Sequence, residues 1–131
     1  MKNAKGFTLV EIMIVVAIIA LLAAIAIPNL LRARIAANDA LARGTLRSMS
    51  TAAESFATAN NGNYPTTITV LTTGSTPPFL QKDYCVVPTQ AGFNYTCSFN
   101  TSYYTFTAAP AVLGTSGTTT YTISTGGVMT P

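Results

Sequence analysis

The acidic side chains are the residues through which this 131-residue chain could do acid–base chemistry. The chain has four of them and no histidine, and the four are Glu11, Asp39, Glu54 and Asp83. Among these four residues the sequence suggests no pair that could act together as general acid and general base. We therefore expect that the chain is not an enzyme and that it needs no cofactor.

Two cysteines, Cys85 and Cys97, lie in the polar second half of the chain. If that half lies outside the cytoplasm, they are expected to form a disulfide. Its closed loop of about 13 residues would stabilise the fold by roughly 3 kcal/mol. The alternative is a pair of buried free thiols. No metal site is expected, since the two cysteines lack a further pair of ligands.

A long apolar run follows a short basic head. Lys2 and Lys5 precede it, and only Glu11 is charged between Phe7 and Ile27. As a helix rising ~1.5 Å per residue, the run is long enough for the ~30 Å hydrocarbon core of a bilayer. The basic head places that end in the cytoplasm. An acid there costs ~2.5–3.5 kcal/mol and is usually functional, although Glu11 could simply snorkel toward lipid headgroups.

The run is expected to stay in the mature protein, because no small-residue cleavage site follows it. Its helix should start near Phe7 and end near Asn60, where Asn60-Asn61-Gly62-Asn63 and Pro65 interrupt it. Pro28 lacks the N–H that would bond to Ala24, which predicts a kink or a local loss of helix at residues 24–27.

Beyond Pro28 the pattern becomes one-sided. Apolar residues recur at steps of three, four or seven, which predicts a helix face that packs on a domain: Leu31, Ile35, Ala42, Leu46, Met49, Ala53 and Phe56. Polar residues lie off that stripe and should face solvent, among them Asp39, Ser50 and Glu54. Asp39 and Arg43 are four residues apart, a spacing that allows an ion pair.

Residues 64–131 are predicted to form loops and strands. Apolar and polar residues alternate from Phe93 to Phe99, from Tyr104 to Ala108 and around Tyr121 and Ile123. The pattern favours an antiparallel meander of three or four strands, covered by the stripe from Leu46 to Phe56.

The segment Lys5-Gly6-Phe7-Thr8-Leu9-Val10-Glu11, followed by the apolar run, resembles the processing site of type IV pilins and pseudopilins. The resemblance implies an α+β type IV pilin fold, in which a long N-terminal α-helix with an apolar first half carries a small antiparallel β-sheet head on its second half. It divides the chain into a removed leader (1–6), a transmembrane or filament-core helix segment (7–28), an amphipathic helix half (29–60) and a β-rich head (61–131).

The resemblance also implies roles for particular residues. A prepilin peptidase would cut between Gly6 and Phe7, and the new N-terminus would be N-methyl-Phe7. Glu11 corresponds to the acidic residue of the family and Pro28 to its helix-interrupting proline. In a filament, Glu11 of one subunit could meet the α-amino group of Phe7 of the next, a pair that would set the register of neighbouring subunits.

The implied function is that of a structural subunit of an extracellular type IV pilus, with adhesion, motility or DNA uptake as roles of the filament. The alternative is a pseudopilin of a type II secretion system. The precursor is expected to be a single-pass inner-membrane protein and the mature subunit to form a helical homo-oligomer at the cell surface. The expected partners are the prepilin peptidase, an assembly ATPase and a platform protein.

Two further features bear on partners and modification. The net charge of +3 comes largely from Lys2 and Lys5, so no specific nucleic acid is expected as a partner. Asn94 and Asn100 each begin an Asn-x-Ser/Thr sequon, which makes them candidate glycosylation sites. The alternative is that the two sequons arise by chance in a stretch rich in Asn and Thr.

Overall fold

The computed structural model describes residues 6–86 and 89–131. A long helix, α1, covers Leu9–Ala59, and a short helix, α2, covers Ile68–Thr72. Four strands follow: β1 (Phe93–Asn100), β2 (Tyr103–Pro110), β3 (Tyr121–Ser124) and β4 (Val128–Thr130). The α+β class, with its long N-terminal helix and antiparallel sheet, is confirmed. Most of the predicted leader, residues 1–5, lies outside the described residues.

The chain divides into two compact units between Ala33 and Arg34. The first contains the apolar part of α1. By its length and composition, this helix is long and apolar enough to cross a membrane. The second unit, residues 34–131, contains the amphipathic part of α1, α2 and the whole sheet.

The sheet is an antiparallel meander with the strand order β1-β2-β3-β4, as the alternation predicted. A hairpin through Thr101 and Ser102 joins β1 to β2, and Asn100 pairs with Tyr103 across it. A single 3-10 turn, Thr125–Gly127, connects β3 to β4. Phe106 and Ile123 are directly opposite each other in β2 and β3, and both are buried.

The core of the second unit forms where one face of α1 meets the inner face of the sheet. Ala42, Leu46, Met49 and Ala53 are fully buried at helical spacing. Three aromatic side chains of the sheet are fully buried in the same cluster: Phe93, Tyr104 and Phe106. The covering stripe predicted from Leu46 to Phe56 is therefore confirmed, with Phe56 partly buried against this core.

The N-terminal part of the predicted stripe is wrong. Leu31 is 47% exposed, and Ile35 is only partly buried. The buried face of α1 begins at Asp39, which is the first residue of the helix to receive hydrogen bonds from the chain that precedes β3.

The chain between α1 and β1 contains a helix that the sequence did not predict. Ile68 and Leu71 of α2 enter the core, and the Leu80 N–H donates to the Leu71 carbonyl at 3.0 Å. Five residues are too few for a helical period to stand out. Farther along, the structure joins Cys85 to Cys97 of β1 by a disulfide with a Cα–Cα distance of 5.7 Å.

Asp39 is buried, so its predicted position on the solvent side is wrong. Its carboxylate accepts hydrogen bonds from the Thr118 N–H (3.0 Å) and the Thr118 hydroxyl (2.6 Å). The predicted partner, Arg43, instead lies with its guanidinium carbon 5.6 Å from the centre of the Tyr121 ring. Gly117 makes the close approach possible, since a Cβ there would lie 2.3 Å from the Phe93 ring. The hydrogen bonds of the Asp39 carboxylate thus hold the segment before β3 against α1.

Glu54 forms a second such contact, four turns farther along α1. Its carboxylate accepts hydrogen bonds from the Tyr104 hydroxyl (2.8 Å), the Tyr64 hydroxyl (2.9 Å) and the Gly126 N–H (2.7 Å). Gly126 has φ 79°, a left-handed conformation that glycine adopts without strain. The buried Ser50 hydroxyl lies 2.7 Å from the Tyr104 oxygen and donates to it, because the tyrosine proton is directed to Glu54.

This network shifts two pKa values in opposite directions. Burial alone would raise the pKa of Glu54, but the donors Tyr104, Gly126 and Tyr64 outweigh it and hold the pKa below its usual 4.5. Burial, together with the Glu54 charge, raises the pKa of Tyr104 to about 12. Both shifts favour a neutral tyrosine that donates to an ionised carboxylate.

Truncating the core should destabilise the second unit strongly. For Leu46→Ala we expect a loss of about 2–5 kcal/mol, because the side chain is fully buried. Leu41→Ala is the matched control on the same helix: Leu41 is 56% exposed, and its loss should cost within about 0.5 kcal/mol. Denaturation of the full chain in detergent, followed by near-ultraviolet circular dichroism, measures both. Equal losses for the two variants would contradict the assignment of the buried face.

Glu54 should make the second unit sensitive to acid. Its lowered pKa contributes stability that is present above about pH 4.5 and is lost as the pH falls through the lower pKa of the folded state. Glu54→Gln should therefore be less stable at pH 7 and should lose less stability between pH 5 and 3. Thermal melts of both proteins across that range test this. The difference between the two curves removes the contribution of the other carboxylates, and parallel curves would show that Glu54 does not contribute.

Candidate functional site

The apolar part of α1 has no cover within its own unit. Thirteen large apolar side chains between Leu9 and Ile27 are exposed, each by 48% or more of its surface. Burying one such side chain is worth about 1.5–3 kcal/mol, so the whole surface represents on the order of 20 kcal/mol of unfavourable contact with water. Lipid or other apolar protein surface has to cover it.

Thr8 and Glu11 determine where the helix begins. The Thr8 N–H and the Thr8 hydroxyl both donate to Glu11 Oε2, each at 2.7 Å. In return, the Glu11 N–H donates to the Thr8 hydroxyl oxygen at 3.3 Å. This is a reciprocal capping box, in which each of the two side chains satisfies a backbone N–H that the first helical turn leaves unpaired.

Glu11 is therefore both a charge in the apolar segment and the acceptor of capping hydrogen bonds from its own chain. A carboxylate in the first turn is also favoured by the helix dipole. The capping hydrogen bonds use Oε2, and Oε1 accepts none from the residues that the structure describes. The sequence reasoning missed this role, although the spacing Thr-x-x-Glu before an apolar run is a readable signal for it.

The predicted cleavage position lies immediately before the cap. Gly6 and Phe7 precede α1, and the Phe7 side chain is 83% exposed. A Cβ at Gly6 would have no atom within 4 Å. The Gly6–Phe7 peptide bond therefore lies outside the helical hydrogen bonding, and cutting it would remove none of the bonds of the cap.

The sequence predicts a kink or a loss of helix at residues 24–27. Pro28 does not interrupt α1, so the loss of helix is wrong, while the kink stays a prediction. Proline removes a single i to i−4 hydrogen bond, and the neighbouring turns keep theirs. The Asn29 amide adds a contact, since its Nδ2 donates to the Ile25 carbonyl at 3.0 Å. One turn is thus locally weakened while the helix continues through it.

The remaining predicted site residues lie in the second unit. Cys85 and Cys97 are paired. Asn94 and Asn100 are both exposed on β1; Asn94 Oδ1 accepts from the Thr89 hydroxyl at 2.7 Å, and Asn100 Oδ1 accepts from the Ser102 N–H at 3.2 Å. Within residues 6–86 and 89–131, no cluster of three His, Cys, Asp or Glu side chains could hold a metal ion.

Comparison with known proteins adds three findings. Residues 1–27 match the family model described as the prokaryotic N-terminal methylation motif. The chain is 52% identical over 61 residues to the type IV wide pilus major component PilA4 of Thermus thermophilus, which is 47% of each chain. It is 50% identical over 52 residues to the type IV major pilin protein PilA of Myxococcus xanthus, which is 40% of this chain and 24% of that protein.

The match thus spans half or less of these curated relatives, and no solved structure matches the chain. The motif, the identities and the fold nevertheless agree with one another. A capped apolar helix with a single acid near its start continues into an amphipathic part that packs on a four-stranded antiparallel sheet. Together, these observations show that the chain is similar to type IV major pilins over the 47% and 40% of its length that the two matches cover.

Proposed function

We propose that the chain is a structural subunit of an extracellular type IV pilus, which is held in the inner membrane and then polymerised through its N-terminal helix. The observation that carries the proposal is the apolar part of α1, which is exposed around its whole circumference. A single one-sided stripe would need one partner surface, whereas this helix needs apolar surroundings on all sides. A bilayer provides them before assembly, and neighbouring copies of the same helix provide them in a filament.

The relatives support a pilus subunit over a type II secretion pseudopilin, since both are described as major pilins or pilus components. The methylation motif supports cleavage after Gly6 and methylation of Phe7. The machinery of this proposal is that of the family: a prepilin peptidase, an assembly ATPase and a platform protein. Adhesion, motility or DNA uptake would be functions of the whole filament.

Within the filament, Glu11 is proposed to pair with the α-amino group of Phe7 of the next subunit. Oε1 of Glu11 is available for this contact while Oε2 keeps the cap. Methylation of the amine retains its positive charge, so the pair remains an ion pair. In an apolar core such a pair contributes more to the choice of register than to net stability, because both charges must leave water.

Charge and cap can be separated by two substitutions. Glu11→Gln keeps an oxygen that accepts from Thr8 but removes the charge, so we expect a processed, membrane-held subunit with filament yield reduced about tenfold or more. Thr8→Ala removes the cap, worth about 0.5–2 kcal/mol, and keeps the charge, so its yield should fall less. Sheared filaments and membrane fractions are quantified by immunoblotting, with electron microscopy of the cells.

Two results would contradict the charge pair. One is a normal filament yield from Glu11→Gln. The other is an equal loss of yield from Thr8→Ala, because the helix start rather than the charge would then control assembly.

Processing can be tested on the same material. We expect intact-mass spectrometry of filament subunits to give a chain that begins at Phe7, carries one added methyl group and lacks the two thiol hydrogens of Cys85 and Cys97. Gly6→Val should block the cut and retain residues 1–6, because a side chain would then occupy the position before the scissile bond. A subunit of wild-type filaments that retains residues 1–6 would refute the proposed cleavage.

A further inference from the structure

An open groove of about 480 Å³ lies in the second unit, between α1 and the chain that follows α2. Its helix side carries Arg47, Thr51 and Ser55, and its loop side carries Gln81 and Tyr84, with Leu80 between them. The volume falls within the ~300–1,000 Å³ of ordinary small-molecule sites. None of these residues lies in the apolar part of α1, which carries the proposal of polymerisation.

The loop side of the groove is fixed in place. The Leu80 N–H donates to the Leu71 carbonyl at 3.0 Å, and Leu80 is buried. Asp83 Oδ1 accepts a hydrogen bond from the Cys85 N–H at 2.8 Å. Cys85, the residue after Tyr84, is also linked to Cys97 of β1 by the disulfide. Because these contacts within the chain hold the loop side, little conformational entropy would be lost when a ligand binds.

The side chains that line the groove suit a sugar. Ser55 and Gln81 supply hydroxyl and amide groups that donate and accept hydrogen bonds, as sugar hydroxyls require. The Thr51 hydroxyl donates to the Arg47 carbonyl at 2.9 Å, so towards a ligand its oxygen serves as an acceptor. Tyr84 supplies an aromatic ring whose body is apolar, and such a ring can cover the C–H face of a pyranose. Arg47 supplies a planar guanidinium that matches the two oxygens of a carboxylate.

The charges that line the groove favour an anion. Arg47 lines it, whereas the three acids of the second unit lie outside the lining: Asp39, Glu54 and Asp83. Arg47 and Lys82 form no ion pair with any residue that the structure describes, and the Lys82 ammonium lies 6.0 Å from the centre of the Tyr84 ring. One cation, Arg47, therefore lines the groove, and a second, Lys82, lies beside its Tyr84 ring.

From these observations we propose that the groove binds an acidic saccharide, with the sugar carboxylate on Arg47 and the ring against Tyr84. Nucleic acid fits less well, because strong backbone binding neutralises several phosphates and only two cations are near the groove. The site is independent of the proposed pilus function, since its residues lie on the second unit and binding can be measured without assembly.

The test uses the full chain in detergent micelles and isothermal titration calorimetry. The probes are trigalacturonate and its methyl ester, which has the same rings without the charges. We expect the acid to bind at least tenfold more tightly than the ester. Arg47→Gln should weaken binding of the acid about tenfold and leave the ester unchanged, since it removes one charge-assisted contact. Tyr84→Leu should weaken both probes.

The matched control is Arg34→Gln, which removes the same charge from α1 outside the groove. It should change the affinity for trigalacturonate less than twofold. An equal loss from Arg34→Gln and Arg47→Gln would overturn the proposal, since binding would then follow net charge alone. Equal binding of acid and ester, no binding of trigalacturonate at millimolar concentration, or displacement by an equal charge of single-stranded DNA would also overturn it. Failure of these tests leaves the filament proposal intact, because assembly is measured on the N-terminal segment.

Discussion

The rest of the structure depends on one constraint: a single helix has to meet two different environments. Within α1 the backbone satisfies its own hydrogen bonds along Leu9–Ala59, which makes a helix the natural element for an apolar medium. The side chains, however, change from apolar on every side to apolar on one side. The first part therefore requires cover from outside the chain, while the second obtains it from the sheet. A bilayer and a bundle of identical helices are both apolar, so the same surface can exchange one for the other.

The second half of α1 is positioned by polar contacts as much as by its apolar face. Asp39 and Glu54 each accept a backbone N–H from a segment that connects strands, Thr118 before β3 and Gly126 before β4. Directional hydrogen bonds to two points four turns apart add a fixed register along the helix to the close packing of its apolar face. These carboxylates face inward, so the arginines of the same helix are left as its exposed charges.

The sequence predicts the features that depend on local pattern. The apolar run, the end of α1 near Asn60 and the alternation in β1 and β2 are all local, and the structure agrees with them. The failures lie where a distant partner decides the outcome. Asp39, Ser50 and Glu54 were assigned to the solvent side because polar residues usually face water, but they are satisfied by partners 50 to 79 residues away. The prediction for Leu31 is wrong in the opposite direction. Leu31 lies four residues before Ile35 and so fits the apolar stripe, but the sheet does not cover it and it is exposed.

The Thr8–Glu11 pair shows why an acid is tolerated at the start of an apolar helix. The first helical turn leaves backbone N–H groups unpaired, and in an apolar medium each of them is costly. A carboxylate that accepts a hydrogen bond from the Thr8 N–H satisfies one of these groups, and the positive end of the helix dipole stabilises its negative charge. The cap needs only an acceptor, which glutamine could supply, so the cap alone does not explain why the residue carries a charge. The helix dipole favours the charge by about 0.3–1 kcal/mol. In the proposed filament, the α-amino group that cleavage creates at Phe7 adds a full positive charge as its partner.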